Sequence, residues 1–256
     1  MKKSLSLIIL FLIVFSISSF ADSIYKDPVT GMEFVFVKGG CYQMGDTFGD
    51  SKKYHLIETP HVVCVDDFYM GKYEVTQGQW KKIMGRNNSY FTDCGDNCPA
   101  ERLSWEDSQE FIKKLNSKSD GKFRLPTEAE WEYACREGGK KVRFGNGKNI
   151  LSEKDVNIDP NREKTLPVGS FRPNALGLYD MSGNVDEWVE DWYDEKAYSN
   201  HLRVNPINDI VVKSIESESG YVKRGGSWGN PDALRCAHRG SAPADYGTGF
   251  RLIRKP

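Results

Sequence analysis

The stretch RLPTEAEWEYAC, Arg124 to Cys135, reads as an extended entry running into a helix. Pro126 fixes the direction from which the chain enters. Thr127 and Glu130 stand at capping-box spacing: the hydroxyl is placed for the amide of residue 130, and the carboxylate for the amide of residue 127. Trp131 and Ala134 follow at helical spacing, so the stretch predicts a short helix beginning at Thr127 with its apolar side toward the core. Upstream, Ser104 with Asp107 three residues later predicts a second helix, whose Phe111, Ile112 and Leu115 share one side. Thr76 predicts another, running through Trp80 to Met84 and stopped by Gly85.

Strand signals are short and widely spaced. Glu33 to Lys38 carries Phe34, Val35, Phe36 and Val37 and then breaks at Gly39-Gly40. Val62 to Val65 and Phe68 to Met70 are further strands divided by Asp66-Asp67. Tyr221 to Lys223, Trp228, and Phe250 to Ile253 read as C-terminal strands between glycine-rich turns. Gly145 to Gly169 reads as a long ordered loop. Asn200 to Gly220 reads as a loop insertion with one short strand around Ile210, Val211 and Val212. No repeat is visible, and the whole predicts turns, short strands and a few helices.

Lys2 and Lys3, the apolar run from Leu5 to Phe15, and Ser19 and Ala21 at small-residue cleavage positions predict a secretory signal over residues 1–21. The run is short for a membrane span, and no cysteine at the cleavage point signals a lipid anchor. Residues 22–256 are then one domain, expected to be periplasmic or secreted if the source is bacterial. The formal charge of -1 gives no general attraction to nucleic acid or anionic lipid. The six cysteines, Cys41, Cys64, Cys94, Cys98, Cys135 and Cys236, read first as disulfides in an exported chain. Proximity pairs Cys94 with Cys98; spacing alone does not pair the rest. The C-x3-C spacing without a nearby histidine argues against zinc. His55, His61, His201 and His238 form no ligand pattern within one segment and read as surface or loop residues.

Seven motifs stand in order: FVFVKGGCYQMG (34–45), YEVTQGQW (73–80), LSWEDS (103–108), RLPTEAEWEYAC (124–135), GLYDMSGNVDEW (177–188), RGGSW (224–228) and GFRL (249–252). Together they resemble the formylglycine-generating enzyme, or sulfatase-modifying factor, family across nearly all of residues 22–256. The resemblance implies an α+β, C-type-lectin-like fold with little regular secondary structure. It also implies a disulfide between Cys135 and Cys236, which leaves Cys41 and Cys64 for another. The family's best-known members are copper-dependent oxidases whose two reactive cysteines follow the GGS segment. Here Gly229 and Asn230 follow Trp228, and Ser227 matches the active-site serine. A soft monovalent copper ion needs thiolates, so neither copper nor formylglycine-generating activity is expected.

The resemblance also implies structural calcium. Asp180 and Glu187 match side-chain ligands, and Gly183 and Val185 match carbonyl ligands, a set of hard oxygens suited to that ion. Asn157 and Ile158 match the start of a second site, which lacks an assignable acidic partner apart from Asp159. If the family geometry holds, Ser227, Trp228, Asn230, Asp232, Arg235, His238, Arg239, Asp245 and Tyr246 form a binding surface. Arg235 and Arg239 can alternatively serve in structural ion pairs. Ser227 and His238 lack a G-x-S-x-G elbow and do not by themselves read as a hydrolase. The expected function is a non-catalytic recognition or accessory scaffold domain of the cell envelope, meeting a protein, peptide or glycan. The alternative is a metal-dependent oxidase related to the family with altered active-site ligands.

Overall fold

The computed structural model describes residues 24–50, 57–157, 164–210, 220–241, 243 and 247–256. The expected signal at 1–21 lies outside these residues, as do His55, Ile158, Asp159, Val211, Val212, Asp245 and Tyr246.

In chain order the elements are β1 (Ile24–Lys26), β2 (Glu33–Val37), β3 (Gly40–Met44), β4 (His61–Val65), β5 (Phe68–Gly71), α1 (Gln77–Met84) and α2 (Trp105–Asn116). They continue with β6 (Phe123–Arg124), α3 (Glu128–Cys135), β7 (Asp186–Trp192), α4 (Ala197–Asn200), β8 (Tyr221–Arg224), β9 (Thr248–Phe250) and β10 (Ile253–Arg254). The first sheet has the order β1-β2-β5-β10-β6 and is antiparallel throughout. A second pairs β3 with β4, and a third has the order β8-β7-β9, with β9 parallel to β7. The architecture is α+β with open sheets and few helices, as expected from the sequence.

Each expected helix start is present. Thr76, Ser104 and Thr127 accept from the amides of Gln79, Asp107 and Glu130, whose side chains return the bond to the cap amide. Gly85 ends α1 at φ 75°, a conformation that costs a residue with a Cβ far more than glycine. Two apolar clusters fill the interior. One gathers Met44, Val63, Met70, Trp131, Val189 and Ile253; the other gathers Phe34, Trp80, Phe111, Phe250 and Leu252. Trp80 stacks on Phe111 with ring centroids 5.5 Å apart.

Some expectations need correction. Trp228 lies in no strand: its amide donates to the Asn184 carbonyl, and its ring stands edge-on to Phe91. Gly225 and Gly226, at φ 92° and 68°, turn the chain out of β8 just before it. A Cβ at Gly226 would meet the Ala233 backbone at 2.9 Å. The stretch from Phe250 to Ile253 divides between β9 and β10, with Arg251 turned into the interior between them. Ile210 is exposed and outside any strand. It is Val204 that bridges to Cys64, through bonds from the Cys64 amide to Arg203 and from the Asn205 amide to Cys64.

The disulfides are Cys41–Cys64, Cys94–Cys98 and Cys135–Cys236, and no cysteine is free. Cys41 and Cys64 face one another directly across β3 and β4. Among the described residues no helix is long and apolar enough to cross a membrane.

Candidate functional site

Every residue of α3 is buried, including Glu128, Glu130 and Glu132. Buried carboxylates require partners: Arg124 pairs Glu130, while Arg224 and Arg239 from distant segments and Arg136 at the end of α3 serve Glu128 and Glu132. Arg224, at the end of β8, donates to Glu132 at 2.5 Å and to Glu128 at 3.3 Å. Its remaining bonds reach the carbonyls of Cys236 and Ala237, at 2.6 and 3.1 Å. Arg239 grips Glu128 through two bonds of 2.8 and 2.7 Å. Arg136 donates to Glu132 at 2.7 Å and to the Gly45 carbonyl at 2.6 Å. Burial works to raise the Glu128 carboxyl, but Arg239 and Arg224 outweigh it and hold the pKa below the ordinary value.

Beside this network Glu128, Asp191 and His201 each offer a ligand atom, all within 4.8 Å of one another. The backbone positions them: Asp191 accepts the amides of Glu128 at 2.7 Å and Asn208 at 2.8 Å, so it caps α3 from β7. Burial, then the Glu128 charge, pushes the Asp191 carboxyl up to about 7. Burial takes the His201 imidazole down to about 4, despite the raising influence of Glu128. His61 Nε2 lies 3.1 Å from His201 Nδ1, and Tyr198 packs against both rings. The histidines read as unrelated surface residues thus meet in space, from segments 140 positions apart. A nearby cavity of about 570 Å³ is lined by Asp66, Phe68, Arg124, Glu190, Ile207 and Lys255, among others. Glu190 faces it, and strand alternation sends Asp191 to the opposite side.

The residues expected to hold calcium also come together. Buried Glu74 and Glu187 and half-buried Asp180 stand around buried Arg251. Arg251 donates to both Glu187 oxygens, at 2.7 and 2.6 Å, and Trp131 Nε1 adds a third bond at 2.7 Å. Asp180, at φ 55°, accepts the Gly169 amide at 2.7 Å. Burial first, and then mutual repulsion among the carboxylates, raises Glu74 and takes Asp180 up to about 6. Glu74 Oε1 accepts from the Asn184 side-chain amide at 3.1 Å, and the Glu74 and Asp180 carboxyls lie within hydrogen-bonding reach of one another. All-oxygen donors with surplus negative charge fit a hard cation. Glu74 joins the set although the sequence reading passed over it, and Glu187 is already held by Arg251. Gly183 lies against the Asn157 backbone, so the two expected calcium segments are neighbours.

A family model for the sulfatase-modifying factor enzyme 1-like domain matches residues 21–256. The chain belongs to this family. Among curated relatives, the chaperone protein LppX of Paenibacillus barcinonensis is 32% identical, with 83% of this chain and 91% of LppX covered. The formylglycine-generating enzyme of Streptomyces coelicolor is 30% identical over 88% of this chain and 74% of its own. Similar solved structures include Treponema denticola variable protein 1, with TM-score 0.72 and 26% identity, and PvdO from Pseudomonas aeruginosa, with TM-score 0.72 and 28% identity. Both comparisons cover 91% of this chain and 98% of the other.

Within the sulfatase-modifying factor family this chain departs where the oxidases keep their thiols. Cys236, the cysteine that follows RGGSW here, is bound to Cys135. That every cysteine is in a disulfide argues against the thiolate chemistry of the family's oxidases. The segment after Ser227 forms a mixed surface. Asn230 and Asp232 are exposed and Trp228 is half-buried, whereas Ser227 is buried. Arg235 forms a two-bond pair with buried Glu58, at 2.9 and 3.0 Å, and His238 Nδ1 stands 3.7 Å from the same carboxylate. Burial, reinforced by Arg235 and Arg224, lowers the His238 imidazole to about 4, so it is neutral at physiological pH. Arg239 is withdrawn from the expected surface because its guanidinium is committed to Glu128. Neither Ser227 nor His238 lines the 570 Å³ cavity.

Proposed function

We propose that the chain is a metal-dependent oxidase of the sulfatase-modifying factor family whose ligands are nitrogen and oxygen rather than the missing thiolates. The carrying observation is the convergence of Glu128, Asp191 and His201. One imidazole with two carboxylates suits a borderline or hard divalent ion such as iron(II), and disfavours monovalent copper. Family membership across the domain supports the oxidative class. Oxygen uptake by the iron(II)-loaded protein with reduced cysteine peptides tests the reading. We expect uptake that falls at least tenfold in H201A; equal uptake by H201A, or none by the wild type, would sink it.

A second reading, an accessory or recognition domain of the cell envelope, is supported by the extensive likeness to a protein named a chaperone. The disulfides support an oxidising compartment for either reading. Retained capture of an envelope protein by H201A would favour this second function.

The Glu74–Asp180 cluster is read as the seat of a structural calcium ion, supported by the close pairing of these carboxyls with Glu187 nearby. Saturating calcium is expected to raise the melting temperature about 5–10 °C above that in chelator. D180N should abolish the difference; an unchanged wild-type melting temperature would remove calcium from this site.

A further inference from the structure

We propose that His61 is a positioning residue for a divalent-metal site at Glu128, Asp191 and His201, fixing the tautomer that leaves His201 Nε2 as a ligating lone pair. The inference rests on the metal-dependent reading above and adds how the imidazole is prepared. His61 Nδ1 lies 2.9 Å from the Thr59 carbonyl oxygen. A carbonyl only accepts, so Nδ1 carries the hydrogen. In a neutral imidazole Nε2 is then the acceptor. The group 3.1 Å away is His201 Nδ1, which therefore donates. In the tautomer that donates from Nδ1, His201 Nε2 has no hydrogen to give.

That nitrogen is buried and has no hydrogen-bond partner among the described residues. The acidic groups facing it are Glu128 and Asp191. Glu128 is already the acceptor for Arg239, Arg224 and Tyr198. Asp191 uses one oxygen for the Glu128 amide and the other for the Asn208 amide. As carboxylates, both offer lone pairs, as Nε2 does. A divalent cation satisfies all three at once. Imidazole ligands commonly have their other ring nitrogen held by an outer acceptor, and loss of such a partner lowers metal affinity about 10–100-fold. Here the outer acceptor is a second histidine, at the start of β4 opposite Met44 and packed against Tyr198.

Cobalt(II) is a direct probe, since its visible absorption reports nitrogen and oxygen ligation without any turnover. The purified protein should bind cobalt(II) competitively with zinc(II), and H201A should abolish the absorption. H61L, which cannot accept from His201 Nδ1, should weaken binding about 10–100-fold. H61Q supplies an amide oxygen as acceptor and should return affinity to within a few-fold of the wild type. Metal-free melting temperatures identify variants that remain folded; if H61L fails this check, the comparison of H61Q with H201A decides. Wild-type affinity in H61L, or failure of H61Q to bind while the wild type binds, would overturn the positioning role and leave the metal-dependent reading intact. Absence of cobalt binding by the wild type, or unchanged binding in H201A, would overturn both.

Discussion

R224M should lose about 3–5 kcal/mol of folding stability, because one substitution takes a charged partner from two buried carboxylates and the donor from two buried carbonyls. Methionine approximates the volume of the arginine stem, so the loss measures charge and hydrogen bonding more than packing. Glu128 keeps Arg239 and Glu132 keeps Arg136, but the carbonyls of Cys236 and Ala237 lose their donor inside the protein. Urea unfolding should show the midpoint displaced with little change in slope. Adding E132Q to R224M should recover part of the loss, since it removes a charge left short of partners. A loss below 1 kcal/mol would mean that Arg224 is not the tie between α3 and the C-terminal loops.

Opening the Cys135–Cys236 bridge should rank close behind. The bridge joins positions 101 apart, and chain-entropy arguments assign a loop of this size about 4.7 kcal/mol. The same reasoning assigns about 3.4 kcal/mol to Cys41–Cys64 and about 1.9 kcal/mol to Cys94–Cys98, with separations of 23 and 4. Paired alanine substitutions, each melted under oxidising conditions, should therefore destabilise in that order. If the Cys94–Cys98 variant proved the most damaging, loop closure would not govern these bridges.

The helices were legible because their signals are local: Thr76, Ser104 and Thr127 each sit three residues before the side chain that completes the cap. The pairing of β2 with β5 was half legible, since their apolar residues announced strands but not their neighbours. β7 was hidden because DEWVEDW looks solvent-facing. Its Glu187 and Asp191 lie inside only because Arg251 and the amides of Glu128 and Asn208 meet them there. The same limit applied to the site. His61, Glu128, Asp191 and His201 come from four separate segments, so no spacing rule could gather them. Asp180 and Glu187 were found through family resemblance, whereas Glu74, buried as deeply as Glu187, had no local feature to mark it. For Arg239 the sequence left a surface role and a structural ion pair both open, because its partner lies 111 positions away.

The placement of β10 bears on how the molecule is made. Ile253 and Arg254 sit between β5 and β6, bonded to Met70 and Tyr69 on one side and to Arg124 and Phe123 on the other. The middle of the first sheet thus waits for residues translated long after its flanks. During synthesis β5 and β6 have no strand to join them, and such distant pairings form slowly. A nascent chain would hold β5 and β6 apart, with the centre of this sheet open, until residues 253 and 254 had been made.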